Sequence, residues 1–100
     1  MTDLFLLTLI ANPELEEPLV DWLLKYEARY GFTSSRVCGH SSRLTGLSVA
    51  EQVAGRKRQQ RFQMCIDQDA LDFLLARLRQ DFTGSGIRYW VVPVMAEGQV

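Results

Sequence analysis

The sequence predicts an α+β fold: a ferredoxin-like βαββαβ sandwich, with a four-stranded antiparallel sheet and two helices on one of its faces. Four short segments have strand character and two longer ones carry apolar residues at helical spacing, in the order β-α-β-β-α-β. Right-handed connections close that order into a split βαβ unit. An apolar content of 47% over 100 residues supports one domain around a single core.

Residues 4–10 (LFLLTLI) are apolar on both faces, too short for a helix and stopped by Asn12-Pro13, so they form the first strand. Asn12 offers an N-cap oxygen, Pro13 suits the first helical position, and Glu14, Glu16 and Glu17 favour a helix N-terminus. Leu15, Leu19, Trp22, Leu23, Tyr26 and Tyr30 share one stripe of that first helix. Pro18 either kinks its first turns or marks where the regular helix begins. Gly31 ends it in the place where a left-handed residue is usual.

Residues 32–40 form the second strand, and 41–55 a polar loop. Ser48 and Glu51 fit a capping box within that loop, and Gly55 stops the short helix. Residues 56–67 form the third strand, with Phe62, Met64 and Ile66 on one face and Arg61, Gln63 and Cys65 on the other. Asp67 or Asp69 caps a second helix whose stripe is Leu71, Leu74, Leu75, Leu78 and Phe82. Gly84-Ser85-Gly86 breaks it, and 87–95 is the last strand. Pro93 has no amide hydrogen for a ladder, so it belongs at an edge or a strand end. Two helices cover only one face of the sheet, yet the first and last strands are apolar on both. The exposed patch would be unusually large for a monomer, so a closed homo-oligomer is expected.

Charge is distributed unevenly. Residues 32–61 hold six cations (Arg36, Arg43, Arg56, Lys57, Arg58, Arg61) and one acid (Glu51), a net of +5, while the remainder carries −6. A hairpin displaying that charge at one end concentrates anions near its loop. The overall net charge of −1 argues against a nucleic-acid binder. The run Arg56-Lys57-Arg58-Gln59-Gln60-Arg61 also lacks the interleaved aromatics that stack bases. No apolar run approaches the roughly eighteen residues of a membrane span. Residues 4–11 follow Asp3 without a basic segment and do not read as a secretion signal. Two cysteines in such a chain are expected to be reduced thiols in the cytoplasm.

Arg36, Arg43, Arg56 and Arg58 have the planar donors that grip phosphate or carboxylate in pairs; the alternative is a solvated charged hairpin that protects a sheet edge. Gly84 and Gly86 would let backbone amides approach a phosphate, with Arg88 adding charge, although two glycines after a helix also make an ordinary cap and turn. Cys38 and His40 are two residues apart, so a strand turns both to one face, where they could share a transition metal. Two ligands are too few for a structural zinc site. If the loop spans 41–55, Cys38 pairs near Arg58, which leaves Cys65 seven residues along and roughly 20 Å away. With one histidine, no nucleophile elbow, no P-loop and no paired acids at the loop end, the chain does not read as an enzyme.

The long loop between the middle strands and the ending Gly84-Ser85-Gly86-Ile87-Arg88-Tyr89-Trp90-Val91-Val92-Pro93-Val94 resemble P-II signal-transduction proteins. Val20-Asp21-Trp22-Leu23-Leu24, Gly31-Phe32-Thr33-Ser34, Gly39-His40-Ser41-Ser42-Arg43 and Ala50-Glu51-Gln52-Val53-Ala54-Gly55-Arg56 are similar to segments of an uncharacterised family of small P-II-like bacterial proteins. The resemblance covers nearly the whole chain. It implies a homotrimer with ligand sites in the clefts between subunits, where P-II proteins bind adenine nucleotides. It also implies that the 41–55 loop contacts a partner such as a membrane transporter. The smaller family is often encoded beside heavy-metal efflux pumps, and CutA-like proteins share the trimeric fold and a metal association. The Thr83–Ile87 turn is shorter than the P-II nucleotide turn and lacks its internal lysine; only Arg88 stands near that turn's closing lysine. The leading expectation is a cytoplasmic P-II-like sensor of a small anion. A metal-binding accessory protein using Cys38 and His40, and a structural adaptor without a ligand, are the alternatives.

Overall fold

The computed structural model describes residues 3–26, 31–40 and 56–100. Strand β1 (Leu4–Ala11) sends Phe5, Leu7, Leu9 and Ala11 into the core and the alternate residues to the opposite face. A 3-10 turn (Pro13–Leu15) leads into α1 (Glu16–Tyr26). Then come β2 (Thr33–His40), β3 (Arg56–Asp67), α2 (Gln68–Asp81) and β4 (Arg88–Val94). The sheet order is β2-β3-β1-β4, and every pairing is antiparallel. Both helices pack on one face, so the expected ferredoxin-like sandwich is the observed fold. The 41–55 loop with its short helix, and Tyr30 at the end of the α1 stripe, lie outside the described residues.

The two helix starts differ in how they are capped. At Asn12 the side chain makes no cap bond; its backbone carbonyl instead accepts Leu15 N at 3.0 Å. Pro13 has no N–H to receive, and the chain tightens into the 3-10 turn before the regular helix begins at Glu16. Pro18 therefore falls in the first turn of α1, where a missing N–H removes no intrahelical bond. At α2 the cap is Asp67 rather than Asp69: its carboxylate accepts Ala70 N at 2.9 Å.

The core joins Leu7, Leu9 and Ala11 to Phe62, Met64 and Ile66 of β3, beneath Leu19 and Leu23 of α1 and Leu71, Leu74 and Leu78 of α2. Outside it, polar bonds hold the helices together. Trp22 Nε1 donates to Asp81 Oδ2 at 2.8 Å, and Arg77 Nη2 donates to the Tyr26 hydroxyl at 2.6 Å. The Arg77 bond holds the Tyr26 phenol below its ordinary pKa and keeps the guanidinium charged.

The second face of the sheet carries, in cross-strand rows, Val94–Leu4–Asp67, Val92–Leu6–Cys65, Trp90–Thr8–Gln63–Thr33 and Arg88–Ile10–Arg61–Ser35. Its apolar centre is on β1 and β4, where Trp90 and Val92 each remain 44% exposed. Gln63 Nε2 donates to Thr8 Oγ1 at 3.2 Å, a polar pair set within that apolar field.

Phe62→Ala is expected to cost about 3–5 kcal/mol in denaturant unfolding, because its side chain is fully enclosed. Asp67→Ala should cost about 1 kcal/mol or more through the lost cap. A Phe62→Ala loss under about 1 kcal/mol would contradict this packing.

Candidate functional site

Strand β3 is longer than its neighbours, and that difference builds the candidate site. Its residues 60–67 pair with β1, whereas 56–63 pair with β2. The β2–β3 hairpin therefore runs four residue pairs past the end of β1, roughly 13 Å at the usual rise. Strand parity turns Arg36, Cys38 and His40 of β2 and Arg56, Arg58 and Gln60 of β3 to the face that further down carries the core; the facing pairs are Arg36↔Gln60, Cys38↔Arg58 and His40↔Arg56.

The chain leaving β1 comes up beside this overhang. Pro13 of the 3-10 turn and Glu16 at the start of α1 join Arg36, Val37, Cys38, Arg58, Gln59 and Gln60 around a cleft of about 400 Å³. Gln60, on this wall, is only 3% exposed. Glu16 is half-buried, whereas Glu14 and Glu17 are exposed, and it forms no ion pair among the described residues. The end of the Gln59 side chain lies over Gly39, in the space a Cβ there would take.

Of the residues singled out in the sequence, Arg36, Arg58 and Cys38 line this cleft. Arg56 and His40 face each other further along the same side of the hairpin. Arg43 lies outside the described residues. Cys38 and His40 share a strand face, but no group of three or more His, Cys, Asp or Glu side chains suited to a metal occurs among the described residues. Cys65 pairs with Leu6 and points to the opposite face; burial, with a smaller contribution from Glu97, pushes its thiol above the ordinary cysteine pKa.

The glycine turn is elsewhere. Gly84 and Gly86 take φ of 77° and 80°, which side chains rarely adopt. Ser85 N donates to the Phe82 carbonyl at 3.1 Å and Ile87 N to Ser85 Oγ at 3.3 Å, so these two amides serve the turn itself. Beside them is a smaller cavity of about 260 Å³, closed by Leu78, Arg79, Phe82 and Tyr89. Arg79 Nη2 donates to the Tyr89 hydroxyl at 2.7 Å. Arg88 does not enter this cavity: alternation along β4 sends it to the other face of the sheet, 5.9 Å from the Trp90 ring centre. The turn adjoins β4 and the arginine cleft adjoins β2, the opposite edges of the sheet. At the usual strand spacing, three intervals separate them by roughly 14 Å, so one copy does not merge them.

The sequence reading missed Glu16, Gln60, Arg79 and Tyr89. Gln60 could have been found, because it shares parity with Phe62, Met64 and Ile66 and so cannot face outward with Gln59. The others arrive by tertiary approach alone.

A family model described as "Protein of unknown function (DUF3240)" matches residues 1–100. No curated protein matches. Among solved structures, a DUF3240 family protein from Shewanella baltica OS155 is similar at 25% identity and a TM-score of 0.78, over 100% of this chain and 99% of that one. CPII, a nitrogen regulatory PII-like protein from Thiomonas intermedia K12 bound to ADP, AMP and bicarbonate, is similar at 15% identity and a TM-score of 0.70, covering 98% and 97%. CutA from Synechococcus elongatus PCC7942 is similar at 18% identity and a TM-score of 0.58, covering 94% and 79%.

The two thiols should react at different rates. Cys38 is exposed, while burial disfavours the Cys65 thiolate. Iodoacetamide at pH 8, followed by peptide mass spectrometry, is expected to label Cys38 first; the reverse order would contradict the placement of Cys65.

Proposed function

The chain belongs to the DUF3240 family, and from that premise we propose that it is a P-II-like regulatory binding protein whose ligand is a small anion. The anion enters the cleft at the root of the β2–β3 hairpin, and its occupancy is conveyed through the 41–55 segment to a partner protein such as a transporter. The observation that carries this reading is the convergence of Arg36, Arg58 and the buried Gln60 on one cleft beneath the projecting hairpin. Two guanidinium groups offer paired donors to a phosphate or carboxylate, and the carboxamide can complete its bonding. CPII, with the same fold, holds ADP, AMP and bicarbonate, which supports a small anion as the ligand class.

Self-association belongs to this reading. The apolar second face, with Trp90 and Val92 at its centre, is best covered by further copies of the chain as a homotrimer. A neighbouring copy is also what could bring Gly84 and Gly86 to an arginine cleft on the opposite sheet edge. A metal at Cys38 and His40 would likewise require ligands from a second copy or from outside the described residues.

Two measurements test the reading. Sedimentation equilibrium should give a trimer at micromolar concentration, and a stable monomer would remove the intersubunit site. Calorimetric titration with bicarbonate, AMP and ADP should detect binding that Arg36→Ala with Arg58→Ala weakens about tenfold or more, since each lost charged hydrogen bond is worth about 1.5–3 kcal/mol. The deficit should shrink as salt rises, because screening acts over about 10 Å at 0.1 M. Cys38→Ser should leave that binding intact. Wild-type protein that binds none of these anions would overturn the proposal.

A further inference from the structure

The face of the sheet away from the helices is charged unequally along its strands. At one end Arg88 of β4 and Arg61 of β3 stand in one row, on either side of Ile10. Neither forms an ion pair among the described residues; Arg88 lies against the Trp90 ring, 5.9 Å from its centre. The opposite end, from Ile10 along β1 to Leu4 and roughly 20 Å away at the usual rise, carries the row Val94–Leu4–Asp67. The chain leaves β4 there, and the exposed Glu97 brings its carboxylate close enough to Cys65, one row in, to oppose ionisation of the thiol. Asp67 belongs to the same end, but its carboxylate is engaged with Ala70 N as the α2 cap, so Glu97 is the acid offered outward. Between the two ends lie Leu6, Val92 and Trp90, the last two each 44% exposed.

A face with cations at one end, an acid at the other and apolar residues between is complementary to itself. If two copies met with like ends together, Arg61 and Arg88 of both would crowd one place, and the repulsion would grow as the apolar centre excluded water. With unlike ends together, guanidinium groups meet a carboxylate and the apolar centres still cover one another. That self-complementarity favours a second copy over an unrelated protein as the occupant. We propose that copies of this chain meet on this face arginine end to acidic end, with Arg61 and Arg88 of one against Glu97 of the next. This rests on the reading that further copies cover the face. In a closed ring of three the contact is heterologous: each copy gives its arginine end to one neighbour and its acidic end to the other.

The test is sedimentation equilibrium of the full chain at low ionic strength, where charge pairs are least screened. Arg88→Glu and Glu97→Arg, both at exposed positions, should each weaken self-association about tenfold or more, because like charges then face each other across the contact. The two changes combined exchange the charges and should restore most of the loss, which independent effects would not do. A measurement on the wild type needs no variant: alkylation of Cys65, which lies on this face, should slow as the protein concentration rises through the association range. Either single variant associating like the wild type would overturn the proposed orientation, as would a combined variant no stronger than the weaker single one. Cys65 labelling that stays constant while the chain assembles would place the contact elsewhere and overturn it too. A wild type that remains monomeric would sink the underlying reading of self-association as well.

Discussion

Strand β3 pairs on its two sides with an offset, and the positions of the core, the hairpin and the cleft all follow from it. Only residues 60–63 are shared between its partners β1 and β2. Toward Asp67 it is flanked by β1 alone, and toward Arg56 by β2 alone. A strand covered by helices on one face needs apolar residues at every second position, which Phe62, Met64 and Ile66 supply. The same parity continues through the enclosed Gln60, opposite the last residue of β1, to Arg58 and Arg56, which lie past the end of β1 and are exposed. One alternating pattern thus passes from core to cleft within a single strand.

That continuity explains why cations can stand next to a core without being stranded in it. Arg36 and Arg58 occupy positions equivalent to buried ones but lie beyond the helices' cover, so their charges meet the open cleft rather than hydrocarbon. Gln60 stands at the boundary and is enclosed like Phe62 while having the chemistry of the overhang. On the other face the arrangement is simpler. Arg88 and Arg61 flank Ile10 at one end of an apolar field, and the Thr8–Gln63 bond interrupts its middle. A polar pair there makes only some placements of a covering surface favourable, because any other leaves the hydroxyl or amide without a partner.

Much of this was legible in the residues. The bounds of β3 and the facing of Cys38 with Arg58 follow from period-two alternation and from a loop bracketed by Gly39 and Gly55, both local signals. The helix stripes and the Asp67 cap were visible for the same reason. Asn12 misled because a cap reading weighs side-chain chemistry, whereas Pro13 drew the backbone into a tighter turn first. Arg88 was grouped with Gly84 and Gly86 by proximity in sequence, but one step along a strand reverses the side. Glu16 could not be foreseen as part of the cleft: its place depends on the angle at which the chain leaves β1, which no local pattern encodes.

The four shared residues of β3 also limit how the length of this chain can vary in descent. Inserting or deleting one residue between Gln60 and Gln63 would interchange the faces of everything on one side of the change, placing the arginines with Trp90 or the apolar residues in water. A change of two residues keeps every side chain on its own face and moves the hairpin in or out by roughly 7 Å. Within these four residues the length can therefore change only in even steps, unless a bulge absorbs the odd residue.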